Sequence, residues 1–119
     1  MSRGREAAVE RIRHMLDAAE AIRRYVERGR ATFDQDPAVR DAIVYQIVVV
    51  GEAAKAVVAA DPSIEPEFPN IEWSLLAKMR DRVTHQYWAI DPEIVWSTAE
   101  RDLPNIQALL LDALTHTHS

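Results

Sequence analysis

A short stretch of the sequence, MRDRVTHQY at residues 79 to 87, concentrates side chains that can handle a phosphate group. Arg80 can bind phosphate oxygens through two parallel hydrogen bonds and stays charged at any physiological pH. His85 can give or take a proton, because a histidine side chain changes its protonation state near neutral pH. An arginine and a histidine without metal ligands are suited to moving a phosphoryl group onto a neighbouring ribose 2′-hydroxyl.

Helical spacing determines which of these residues can act together. Asp81 and His85 are four residues apart, so Asp81 can accept a hydrogen bond from His85 and raise its basicity. Arg82 borders the same patch. Arg80 lies at the edge of the apolar stripe, about 140° around the helix from His85. Joint action of Arg80 and His85 therefore needs a helix that ends before Gln86, or a second copy of the helix.

The same residues are also compatible with a purely structural role. Asp81 and His85 could form an ordinary surface pair that stabilises the helix by a few tenths of a kcal/mol, roughly. Tyr87 would then close the helix end with its hydroxyl at the surface. The motif has only one histidine per chain, which is a further constraint, because RNA cleavage of this kind needs both a base and an acid. A symmetric dimer would supply two.

Composition and charge restrict the remaining kinds of site. The 119 residues fit one domain, and the absence of cysteine excludes disulfides, thiol catalysis and thiolate metal sites. A net charge of −5 gives no general case for nucleic-acid binding. Residues 1–30 nevertheless carry eight arginines against five acids. These arginines are either a solvated helix face or a local cationic surface for phosphates or an acidic partner.

Apolar periodicity predicts an all-α protein, an antiparallel four-helix bundle in a single domain over residues 1–119. We expect a core from about residue 5 to 114 and a frayed C-terminal tail. The predicted helices cover residues 5–28, 37–60, 71–86 and 92–114. The third is expected to face inward with Leu75, Leu76, Met79 and Val83.

Proline marks the boundaries of these helices. Asp36-Pro37 and Asp91-Pro92 predict helix starts, because aspartate caps a helix and proline fits its first turn. Residues 62–70 contain three prolines and are predicted to form a loop. Pro104 predicts that the last helix is kinked or is split after Asp102.

Residues 42–60 are apolar on nearly every side. They are long enough to span a bilayer, but Gln46, Glu52 and Lys55 would be costly there. We therefore expect no membrane span. The helix is either central in the bundle or meets another subunit with its outer side. Gly51 would allow a neighbouring helix to approach closely.

The motif region resembles that of HEPN-superfamily ribonucleases, in which an arginine, a polar residue and a histidine follow one another at this spacing. The longer form, Arg-x4-His-x-Tyr, is met by Arg80, His85 and Tyr87 and looks like the HepT-like toxins of HepT/MntA toxin–antitoxin pairs. The likeness continues, in order, through GEAAK, the proline-rich loop before Trp73, IDPEIVW and DLPNI. It covers roughly residues 8–112. Gln86 departs from the pattern, since a small residue is more usual there.

The resemblance implies a dimer whose two motif helices line a shared cleft. Arg80 would hold the scissile phosphate, and His85 would act as acid or base in metal-independent RNA cleavage. Asp81 would orient one of them. Arg82 and Glu52 are accessory candidates. No cofactor or metal is implied.

The resemblance also implies a protein partner. An MntA-like nucleotidyltransferase antitoxin would block the toxin by attaching AMP to Tyr87, which adds negative charge and bulk near His85. A cytoplasmic location is expected, which a cysteine-free chain with a charged start suits. One alternative is a non-catalytic helical module that docks onto a nucleotidyltransferase and recognises nucleotide or phosphate. Another is a structural four-helix dimer in which the motif is incidental.

Overall fold

The computed structural model describes residues 2–85 and 91–117, without the side chains of Arg80 and of residues 82–85. Every element in these ranges is helical, and none of the chain so described forms a strand. The elements are α1 (Arg3–Val26), α2 (Arg30–Gln35), α3 (Pro37–Ala60), α4 (Ile64–Glu67), α5 (Trp73–His85), α6 (Pro92–Ser97), a π-helical turn (Thr98–Asp102) and α7 (Leu103–Thr117). The predicted all-α class is confirmed.

Two of the aspartate-proline pairs start helices as predicted. Asp36 Oδ1 accepts a hydrogen bond from the Ala38 amide at 3.0 Å, and Asp91 Oδ1 accepts one from the Glu93 amide at 2.9 Å. The proline that follows each aspartate lies in the first turn, where its missing N–H is not needed. Each cap contributes about 1 kcal/mol to stability.

Helix α3 is the centre of the bundle. Nine of its residues are buried, and it packs against α1 on one side and α5 on another. The residues predicted to face inward are all at most 2% exposed: Ile43, Ile47, Val50, Ala54 and Val57. By length and composition alone α3 could cross a membrane, with a mean hydropathy of 1.7. Its contacts are instead those of a core helix.

Two short helices were not predicted. The segment 62–70, predicted as a loop, contains the single turn α4, because Ile64 is fully buried and anchors it. Helix α2 follows Gly29, whose φ of 90° turns the chain in a way that favours glycine. Phe33 of α2 is fully buried, and its ring centroid lies 5.2 Å from that of Trp96.

The C-terminal helix also differs from the prediction. The distortion expected near Pro104 is the π-helical turn just before it, where the Leu103 amide donates to the carbonyl of Thr98, five residues back. Pro104 has no N–H to donate, and the wider turn accommodates this loss. The predicted helix end at about residue 114 is too early, because α7 continues through three residues of the predicted tail. Helix α7 reaches Thr117, which is 8% exposed and whose Oγ1 donates to the Leu114 carbonyl at 2.9 Å.

The start of α1 is fastened to the end of α3. Arg5 Nε lies 2.9 Å from Asp61 Oδ2, and the guanidinium also pairs with Glu67. The hydrogen bond to Glu67 raises the pKa of Arg5. Gly4 makes this approach possible, because a Cβ at that position would lie 2.4 Å from the carbonyl oxygen of Ala60.

Gly4→Ala should therefore lower the free energy of unfolding by about 1–3 kcal/mol, since the backbone of α3 must move away. Alanine in an open helical position would instead add up to about 1 kcal/mol. Urea unfolding measures the difference. Ala7→Gly is the control. Ala7 is exposed on the same helix, so this exchange measures the difference in helix propensity between alanine and glycine without a steric contact. A more stable Gly4→Ala variant would contradict the close approach.

Glu20 links α1 to α7. Its Oε2 atom accepts hydrogen bonds from Arg23 Nε at 3.0 Å and from Gln107 Nε2 at 3.3 Å. These two bonds, that from Arg23 first, lower the pKa of Glu20 to about 2. Because the folded-state pKa is depressed, the stabilisation is present above the ordinary pKa of 4.5 and is lost as the pH falls toward 2.

Glu20→Gln should accordingly weaken the pH dependence of the unfolding free energy between about pH 2 and 5. Urea unfolding at a series of pH values measures it, together with an NMR titration of the Glu20 carboxyl carbon in the wild type. Glu65→Gln, exposed on α4, is the control. If the wild type and Glu20→Gln have the same pH slope, the Glu20 contacts do not contribute in solution.

Candidate functional site

Helix α5 carries the motif and is held against α3 by its first turn. Trp73 and Leu76 are 2% and 3% exposed. Leu75, predicted to face inward, is 52% exposed, so that prediction is wrong. Met79 is half-buried, as expected of a residue at the edge of the contact. The inward line of α5 therefore runs through Trp73 and Leu76.

Because Trp73 and Leu76 face inward and Leu75 does not, the position of Arg80 also differs from the prediction. Residues 73, 76 and 80 follow one another at spacings of three and four, which puts them on one line of a helix. Arg80 thus occupies a position on the α3-facing line of α5, and not the edge of the stripe as predicted. This position is fixed by the α-helical backbone, which is continuous through residue 80.

The positions of Asp81, Arg82 and His85 lie on the side of α5 away from α3. Asp81 is exposed, and the helix continues without interruption through His85. The predicted spacings of four from Asp81 to His85 and three from Arg82 to His85 therefore keep these positions on one face. Tyr87, the predicted site of AMP attachment, and Gln86 lie outside the described residues. Their roles stay predictions.

The accessory candidate Glu52 lies on α3, the helix against which α5 packs. Its side chain is exposed, while the preceding Gly51 is buried. The structure thus places Glu52 on the supporting helix of the motif, and its functional role stays a prediction. Within residues 2–85 and 91–117, no three His, Asp or Glu residues come together as a metal site.

A groove of about 490 Å³ separates α5 from α7. Leu75, Leu76 and Met79 form its α5 wall, and Ile106 and Leu109 form its α7 wall. Its polar lining comes from Asn70, Glu72, Lys78, Thr98, Asp102 and Asn105. Sequence reasoning missed this groove, because apolar residues of α5 and α7 at helical spacing look like core residues.

The groove follows the same line of α5 as part of the motif. Leu75, Lys78, Arg82 and His85 succeed one another at spacings of three, four and three. Leu75 and Lys78 line the groove, and the positions of Arg82 and His85 continue its line. The rise from Lys78 to His85 is about 10 Å along the helix axis.

The arginines of the N-terminal region do not form an open cationic surface. Five of the eight form ion pairs with carboxylates: Arg5, Arg13, Arg23, Arg24 and Arg30. Arg30 also pairs with Glu93, and its guanidinium carbon lies 5.6 Å and 5.8 Å from the ring centroids of Phe33 and Trp96. The pKa of Glu93 is lowered by its hydrogen bond to Arg30. This pairing favours the interpretation of a solvated structural face.

Comparison with known proteins gives consistent matches. The family described as "Ribonuclease HepT-like" matches residues 15–112. A protein of Thermococcus cleftensis named "Probable ribonuclease HepT" is 30% identical over 98 residues, covering 79% of this chain and 86% of that protein. A "Putative RNase" of Caldanaerobacter subterraneus is 25% identical over 107 residues, covering 87% and 90%.

The match to a further relative covers a smaller share of both chains. A "Putative RNase" of Methanocaldococcus jannaschii is 36% identical over 75 residues, covering 63% of this chain and 60% of that protein. No solved structure matches the chain at a significant level. The family match includes α3, α5 and the whole motif from Arg80 to Tyr87. The chain therefore belongs to the HepT-like ribonuclease family.

Proposed function

We propose that this protein is an endoribonuclease that cleaves RNA without a metal ion, using Arg80 and His85. The observation that carries the proposal is the motif helix itself. In a chain of the HepT-like ribonuclease family, α5 is helical through His85 and is held on α3 by two buried side chains. The motif positions are thereby presented on a supported helix, as a phosphate-handling site requires.

The chemistry is a transfer of the phosphoryl group within the RNA. One imidazole, that of His85, takes the proton of a ribose 2′-hydroxyl while its oxygen forms a bond to the adjacent phosphorus. The bond from phosphorus to the 5′-oxygen breaks, and an acid returns a proton to that oxygen. Arg80 stabilises the charge on the other phosphoryl oxygens. The products are a 2′,3′-cyclic phosphate and a 5′-hydroxyl.

A homodimer would supply the second imidazole. The outer side of α3 offers a surface for it, because Tyr45 is 64% exposed and Val48 and Val49 are only half-buried. These residues share one side of α3 at spacings of three and four. An apolar side of this kind suits a self-complementary contact between two copies. Since α5 lies beside α3, such a contact can bring two motif helices into one cleft.

The proposed cellular role is that of a toxin in the cytoplasm, with an MntA-like nucleotidyltransferase as its antitoxin. The support is the spacing of Arg80, His85 and Tyr87 in a chain of this family. AMP on Tyr87, two residues from His85, would place negative charge and bulk where the substrate phosphate must lie. Neither a cofactor nor a membrane is part of this proposal.

The alternative is a non-catalytic module that docks onto a nucleotidyltransferase and recognises nucleotide or phosphate. The distribution of charge favours this alternative. Carboxylates pair with most arginines of the N-terminal region, and the net charge is −5, so long-range attraction of RNA is weak. A binding module would tolerate this charge better than an enzyme that must capture RNA.

Cleavage in the presence of EDTA separates the two proposals. Wild type with Tyr87 shown unmodified by intact mass should cleave total RNA. His85→Ala and Arg80→Ala should each slow cleavage about a hundredfold or more, because each removes a group that acts in the transition state. His14→Ala, which changes an exposed histidine of α1, is the control and should keep full activity. Circular dichroism checks the fold of each variant.

Two results would contradict the ribonuclease proposal. Unmodified wild type that does not cleave RNA would favour the binding module. Cleavage that is equally fast in wild type and His85→Ala would assign the activity to other residues or to a contaminant.

Tyr87→Phe tests the proposed control by AMP. The variant should cleave RNA like wild type but should gain no mass when incubated with the nucleotidyltransferase and ATP, because the acceptor oxygen is absent. Tyr45→Phe, at an exposed tyrosine of α3, should gain one AMP like wild type. AMP addition to Tyr87→Phe, or its loss in Tyr45→Phe, would place the modification elsewhere.

A further inference from the structure

We propose that the groove between α5 and α7 binds one nucleobase of the RNA, and that Lys78 contacts the phosphate beside that base. The inference rests on the proposed function and adds to it a place where the RNA is selected. Nothing in the motif itself provides such selection, since Arg80 and His85 act on groups that every nucleotide has.

The size and walls of the groove suit a flat heterocycle. Its volume of about 490 Å³ is within the usual range for small-ligand sites. Leucine and methionine side chains of α5 line one wall, and Ile106 and Leu109 of α7 line the other. Leu75 leaves half of its surface exposed, and the face of a base would cover it. Apolar side chains can hold a base by its flat faces, as in enzymes that accommodate an extruded base between apolar walls.

One end of the groove lies toward the motif positions on α5. Asn70, Ile71 and Leu109 also line an adjoining pocket, which places Leu109 of α7 beside the start of α5. Thr98, in the π-helical turn that precedes α7, therefore lies toward the motif with Lys78. A base in the groove would thus lie on the N-terminal side of Arg82 and His85 along α5, and its strand could continue past His85.

The charges separate a place for phosphate from a place for the base. Lys78 is exposed and forms no ion pair in the part of the chain that the structure describes. Glu72 and Asp102 line the groove, so the groove carries two carboxylates against one ammonium group. Phosphate inside the groove is disfavoured, whereas a neutral base is not. Lys78, on the line that leads to Arg82, is free to pair with a phosphate at the groove mouth.

The same carboxylates favour particular bases. Asp and Glu accept hydrogen bonds from exocyclic amino groups, as on cytosine N4 or adenine N6. Uracil presents a carbonyl oxygen at the corresponding position and would face a carboxylate with an acceptor. We therefore expect cytosine or adenine in the groove in preference to uracil.

Binding of short 2′-O-methyl RNA oligonucleotides tests the inference without cleavage, because the attacking hydroxyl is blocked. Fluorescence anisotropy measures affinity. Leu75→Ala should weaken binding about fivefold or more, because it removes apolar surface that the base would cover. Leu111→Ala is the matched control, since Leu111 is 51% exposed on the same α7 but does not line the groove. Its affinity should equal that of wild type.

Salt dependence tests the role of Lys78. Lys78→Ala should reduce the slope of log affinity against log salt concentration by about 0.7, the value for one phosphate contact of a single strand. Lys78→Arg keeps the charge and should keep the slope. Arg11→Ala, which removes an exposed cation of α1, should also leave it unchanged.

Oligonucleotides of cytidine should bind more tightly than those of uridine, and Asp102→Ala should diminish the difference.

Equal affinity of Leu75→Ala and Leu111→Ala would overturn the inference. So would a change in molecular mass by light scattering on Leu75→Ala alone, which would identify the groove as a contact between two copies. If these results accompany RNA cleavage that depends on His85, only the groove assignment fails. If wild type neither binds the oligonucleotides nor cleaves RNA, the proposed ribonuclease function fails with it.

Discussion

The packing of Trp73 and Leu76 against α3 is the contact on which the arrangement of the motif depends. These two side chains are almost fully buried, and each contributes on the order of 2 kcal/mol through the apolar area that it removes from water. They also set the rotation of α5 about its own axis. Helix α3 can serve as the support because nine of its residues are buried between neighbouring helices, which leaves it little freedom to move. A rotation of α5 by one residue would present a different set of side chains to α3 and to solvent.

That rotation has two consequences for function. It puts the position of Arg80 on the α3-facing line and that of His85 about 140° away, so one copy of the helix does not bring them together on a regular α-helix. A shared cleft between two copies is a physical answer to this separation. The rotation also leaves Leu75 exposed and opens the groove toward α7, whose line on α5 continues to Arg82 and His85. The support of the motif helix, the separation that calls for the proposed cleft between two copies, and the groove thus follow from the same contact.

The sequence was sufficient where local chemistry decides the structure. The predicted bounds of α3, 37–60, agree with the structure because Asp36-Pro37 starts the helix and Asp61-Pro62 stops it. The rotation of α5 was not predictable, because Leu75 and Leu76 are both apolar and periodicity cannot choose between them. The single turn α4 depends on the tertiary burial of Ile64. The helix end beyond residue 114 was not predictable for a similar reason, since it accompanies the tertiary burial of Thr117. The motif spacing was visible in the sequence, whereas the groove beside it required α7.

The chemical identity of the RNA ends tests most directly whether the motif on α5 transfers a phosphoryl group to a neighbouring 2′-hydroxyl. An RNA of defined sequence would be cleaved in EDTA, and the products analysed by mass spectrometry and by labelling with polynucleotide kinase. We expect a 2′,3′-cyclic phosphate on one fragment and a 5′-hydroxyl on the other, because the ribose oxygen is the nucleophile. A 3′-hydroxyl paired with a 5′-phosphate would show that water attacked the phosphorus, and it would contradict the mechanism.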